Sequence, residues 1–96
     1  MTSRPLPALT GDDAAFDLEQ CCRAGRVTAE WVIERVQAGL LEVHDGSPGA
    51  WRFDAYALRR VRRIAHLERH FDAVPELAAL VADLQEEIER LRARRF

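Results

Sequence analysis

Ninety-six residues are enough for one small domain with a modest core. The formal net charge is -2, no stretch approaches the roughly 20 apolar residues of a membrane span, and the opening Met1-Thr2-Ser3-Arg4-Pro5-Leu6-Pro7 lacks the apolar run of a signal peptide. The two cysteines, Cys21 and Cys22, are adjacent, so they cannot clip distant parts of a fold together; reduced thiols in a cytoplasm are the expectation.

Residues 1–13, with Pro5, Pro7, Gly11 and two aspartates, read as a flexible leader. From Phe16 to Leu41 the pattern is two short helices around a tight turn. Phe16, Leu18, Cys21 and Cys22 fall at helical offsets, and Ala24-Gly25 is expected to break the run by taking up left-handed backbone. Val27 plugs the turn, Thr28 caps a helix starting at Ala29, Val32 and Val36 share its inner side, and Gly39 ends it. This is a helix-turn-helix, whose second helix is presented outward.

Leu41 and Val43, then Trp51 and Phe53, alternate with charged neighbours around Asp45-Gly46-Ser47-Pro48-Gly49. The expectation is a small β-hairpin wing, sealed to the core by Trp51 and Phe53. Asp54 caps a helix from Ala55 to about His70, with Tyr56, Leu58, Val61, Ile64, Ala65 and Leu67 inward. Arg59, Arg60, Arg62, Arg63 and Arg69 lie outside, as a solvated face or a basic docking stripe. Asp72 is expected to cap the last helix, with Pro75 in its first turn. There Val74, Leu77, Val81, Leu84, Ile88 and Leu91 recur at spacings of three and four, a heptad seam. The first half of that helix is expected to pack on its own domain. Val81, Leu84, Ile88 and Leu91 then carry the seam into a homodimer, of parallel or antiparallel sense. The fold class is therefore mainly α, in three parts: leader 1–13, winged helix-turn-helix 14–72, and coiled-coil-like C-terminal helix 73–96.

Charge is unevenly allotted. Through Leu58 nine acids meet five arginines; from Arg59 onward nine arginines meet seven acids. The presented helix offers Glu30, Trp31 and Glu34, and carboxylates there repel phosphates, which points to a basic protein partner rather than DNA. Trp31, an aromatic among charges, is either an interface anchor or a partly buried core residue.

The element order resembles the DNA-binding part of the MerR family. The resemblance rests on Val27-Thr28-Ala29 entering the second helix, Gly39-Leu40-Leu41 leaving it, Trp51-Arg52-Phe53-Asp54 closing the wing, and Leu58, Val61 and Ile64 beyond. Readers of that family typically carry Arg-Tyr where Ile33-Glu34 stand here. Their wing tends to be basic, whereas this one has Glu42 and Asp45 against Arg52. With no sensing domain after Phe96, a ligand-responsive regulator is not expected. A short, acidic, MerR-like chain with a terminal coiled helix is similar to the chaperone-modulator family CbpM. That resemblance implies binding to the J-domain of a DnaJ-like co-chaperone of the CbpA type, and inhibition of its work with Hsp70. The alternative is a MerR-like DNA-binding regulator acting through Arg52 and the stripe from Arg59 to Arg63.

Catalytic and metal chemistry are not expected. No Gly-rich phosphate loop is followed by a helix with Lys-Ser or Lys-Thr, and Thr28 and Ser47 have no evident histidine and carboxylate partners. His66 and His70 stand at i,i+4, a two-ligand spacing, with His44 elsewhere. Cys21 and Cys22, though, point about 100° apart on a helix and would not reach one ion together. No cofactor is expected.

Overall fold

A computed structural model describes residues 15–43 and 46–94. Four helices follow in order: α1 (Leu18–Gly25), α2 (Ala29–Gln37), α3 (Ala55–Phe71) and α4 (Pro75–Ala93), with one turn of 3-10 helix at Pro48–Ala50. The leader expected over residues 1–13 lies outside the described residues, as do His44, Asp45 and the last two positions.

Each helix starts on local chemistry. Asp17 and Gln20 form a reciprocal capping box at α1, Thr28 Oγ1 accepts from the Trp31 amide, and Asp54 Oδ1 accepts from the Ala57 amide. The start of α4 differs from expectation. Its N-cap is Val74, with Pro75 opening the helix, while Asp72 closes α3 in left-handed backbone at φ 54. Aspartate tolerates that conformation better than most residues.

The end of α1 also differs. Gly25 is still helical; the left-handed residue is Arg26, at φ 57. Glycine is needed at 25 for proximity, because a Cβ there would lie 2.7 Å from Cγ1 of the fully buried Val61. The α2 end is as expected. Gly39 takes φ 81, with its amide on the Val36 carbonyl and the Leu40 amide on the Arg35 carbonyl, so two orphan carbonyls of the helix end are satisfied.

The core runs through the centre of the helix-turn-helix and along α3. Cys21, Val32, Phe53, Val61 and Ile64 are its largest fully buried side chains, joined by Leu41 and Trp51. Ala57 takes the inward place expected for Tyr56, which lies at the rim and donates to Glu86.

The expected wing hairpin is not formed: the described residues contain no strand. Phe53 does pair in antiparallel fashion, but with Phe16, through two 2.8 Å backbone hydrogen bonds. Both backbone groups of Phe53 are thus engaged with the approach to α1. Local turns close the segment instead. Ala50 N–H reaches the Ser47 carbonyl, Trp51 N–H the Pro48 carbonyl, and the Trp51 indole N–H the Gly46 carbonyl. The two aromatics seal the core as expected, edge to face at 6.4 Å.

The α3–α4 packing corrects another expectation. Helix α4 meets its own domain through small residues, Ala78, Ala79 and Ala82, all buried. Val74 and Leu77 of the heptad pattern are exposed. Alanine lets the helix backbones approach, and polar cross-links flank the contact: Arg60 to Asp83 and Glu86, and Arg63 to Glu89.

Candidate partner-binding face

The roll of α2 is fixed by Val32, which is fully buried, and by the cap at Thr28. Glu30 and Glu34, one turn apart, are thereby turned to solvent, and Gln37 follows a turn later. Trp31, beside them, is half-buried. Its indole N–H donates to Glu68 Oε1 of α3 at 2.9 Å, and the Arg35 guanidinium lies 4.4 Å from the ring centroid. Of the two sequence alternatives for Trp31, the structure shows the partly buried residue packed against the core, with its indole N–H tied to α3.

Arg35, the one cation of α2, is turned inward. Its Nη2 and Nε donate to both oxygens of Glu68, at 2.8 and 3.3 Å, and its side chain is 11% exposed against 15% for Glu68. It also contacts Glu34 at 3.1 Å, but that carboxylate is 70% exposed. The charges α2 shows to solvent are therefore carboxylates. Neither Arg35 nor Glu68 stood out in the sequence. The i,i+4 spacing of Trp31 and Arg35 was a usable sign of their contact, whereas nothing local joins Arg35 to a residue 33 positions on.

The arginine stripe of α3 divides. Arg60 donates to the Leu40 carbonyl and to Asp83 and Glu86; burial opposes its charge, but those acids outweigh it and hold the guanidinium above its ordinary value. Arg63 pairs with Glu89, and Arg69 donates to the Gly25 and Arg26 carbonyls at the end of α1. Arg52 folds back on the carbonyls of Trp51 and Gly49. Arg59 and Arg62 stay exposed. Neither a continuous basic stripe nor a purely solvated face describes this set; most of it crosslinks the fold.

Of the residues expected at a dimer seam, Leu84, Ile88 and Leu91 are 56, 49 and 48% exposed, and Val81 is half-buried. With Val74, Leu77 and Leu80 they leave an apolar strip along α4, and Phe71 at the end of α3 is exposed as well. Cys21 is buried, and burial with the neighbouring Cys22 pushes its thiol up to about 12; Cys22 is raised too, by burial and then by Glu19. The His66 and His70 rings lie 4.4 Å apart, and among the described residues no three metal-ligating side chains converge. An open cleft of about 530 Å³ between α3 and α4 is lined by Tyr56, Arg63, Glu86 and Glu89, polar groups already engaged with one another.

A capped helix-turn-helix followed by two longer helices is the order expected of a MerR-like domain, and the chain belongs to that family: the model for the MerR HTH family regulatory protein matches residues 16–95. Within it, the chain is similar to the chaperone modulatory protein CbpM of several bacteria. It is 34% identical to that of Pseudomonas entomophila (strain L48) and 35% to that of Pseudomonas putida (strain GB-1), over 81% of this chain and 77% of each relative. The CbpM of Coxiella burnetii (strain Dugway 5J108-111) is 30% identical, over 80% of this chain and 73% of the relative.

Proposed function

We propose that this chain is a chaperone modulator that acts by binding rather than by catalysis. It engages the J-domain of a DnaJ-like co-chaperone of the CbpA type and restrains that co-chaperone's work with Hsp70. The observation that carries this reading is the sign of α2: Glu30 and Glu34 face solvent while its one arginine is neutralised inside. A basic partner surface would be steered to such a face and a polyanion turned away. Trp31 supplies partly exposed apolar area beside the two acids. The names of the relatives support the chaperone connection, and the engagement of Arg52, Arg60, Arg63 and Arg69 within the chain supports it over a DNA-reading role.

The strip of Val81, Leu84, Ile88 and Leu91 is the surface through which two copies pair in this reading. That pairing covers apolar side chains exposed along α4.

Restraint is tested directly in an Hsp70 ATPase assay stimulated by the co-chaperone. Wild type lowers the stimulated rate, and Glu34→Arg restores most of it at equal concentration. Equal inhibition by the two proteins would remove Glu34 from the interface.

A further inference from the structure

We propose that Glu68 is a positioning residue that sets the sign of the α2 face: by taking two hydrogen bonds from Arg35 it offsets most of that cation's charge, so that the lateral contact of Arg35 with Glu34 leaves the face of Glu30 and Glu34 net negative. The inference rests on the reading of α2 as the docking face for a basic partner. Glu68 belongs to α3 and does not touch that partner. It accepts the Trp31 indole N–H and two Arg35 N–H groups, and this shared carboxylate holds the guanidinium at the base of the helix, over the indole ring. Arg35 and Glu68 are each nearly covered, so their opposite charges cancel at short range in a weakly screened place.

Without the Glu68 charge, Arg35 is left with Glu34 as its counter-ion, already 3.1 Å away. The whole guanidinium charge then falls on one of the two presented carboxylates, the net charge of the cluster rises by one, and the helix loses attraction for a cationic surface. The specificity of the face is thereby written in two layers: acids that meet the partner, and a partly covered acid behind them that offsets the neighbouring arginine.

Glu68→Gln is the informative change, because a glutamine oxygen can still accept from Trp31 while the charge is gone. Two readouts separate the proposal from the reading beneath it. The first needs no partner: quenching of Trp31 fluorescence by caesium and by iodide, in a Trp51→Phe background, reports the local sign of charge. Glu68→Gln shifts quenching from caesium toward iodide, and Glu68→Gln with Arg35→Gln returns it to the wild-type balance. The second is affinity for an isolated CbpA-type J-domain. Glu68→Gln weakens it about threefold to tenfold, the effect of one charge near a wet interface, and the double variant recovers it.

An unmoved quenching balance in Glu68→Gln overturns the proposal, and so does a double variant that binds as poorly as the single, which a purely structural role would give. A shifted balance with unchanged J-domain affinity leaves the charge lock standing and refutes the docking role of α2.

Discussion

At the scale of single residues, three positions carry conformational or chemical tension. Arg26 holds left-handed backbone that costs an ordinary side chain about 1 kcal/mol or more, partly offset in a glycine variant by the greater freedom of its unfolded chain. Its carbonyl receives Arg69, which a glycine would preserve. Arg26→Gly is therefore expected to stabilise the domain by about 0.5 kcal/mol, raising Tm by a few degrees in a thermal melt; a lower Tm would show that the arginine side chain contributes more than its backbone costs. Gly25 tolerates no such exchange, because Val61 occupies the place of a Cβ.

Cys21 carries a pH dependence. Its folded thiol titrates at about 12, above the ordinary 9.0, so between these values the unfolded chain binds fewer protons than the folded one. Stability is undiminished below pH 9 and falls as pH rises through that window, by up to about 1.4 kcal/mol per unit. Denaturant melts at pH 8 and pH 10.5 are expected to show the loss, and Cys21→Ala to flatten it around a lower baseline. Equal slopes in both proteins would assign the alkaline loss elsewhere.

At the scale of elements, legibility follows the range of the interactions involved. Caps at Thr28 and Asp54, the proline opening α4 and the glycine closing α2 are set by neighbours within four residues, and each was readable. The wing was misread because its alternation is real but its pairing is not local. Phe53 finds Phe16, 37 positions away, and the apolar period then serves packing rather than a ladder. The α4 pattern misled in a different way. The leucine periodicity was visible, yet alanines at 78, 79 and 82, bland in a sequence, are what the domain buries. The leucines are thereby left exposed. Leu84→Glu is expected to yield a monomer by light scattering with the fold retained, whereas Ala82→Leu, overfilling the α3 contact, is expected to lower stability by about 1–3 kcal/mol. A wild type already monomeric at micromolar concentration would show that the strip does not join two copies.

At the scale of the whole molecule, the distribution of charge carries the proposed function. The net charge is small, but its allocation is not. The arginines of α3 largely bind α4 and the end of α1, Arg35 is absorbed by Glu68, and the carboxylates at Glu30 and Glu34 are left to meet solvent. A helix-turn-helix frame has in this way come to present the sign opposite to that of a phosphate-binding surface. The candidate face was half legible: the exposure of Glu30 and Glu34 could be read from the sequence, while the partly covered Glu68 behind them depended on a tertiary contact between α2 and α3. The most direct test of the account is a calorimetric titration of an isolated CbpA-type J-domain into wild type and into Glu30→Arg/Glu34→Arg, at low and high salt. The account predicts salt-sensitive binding to wild type and at least tenfold weaker binding to the charge-reversed variant; equal affinity of the two proteins would contradict it.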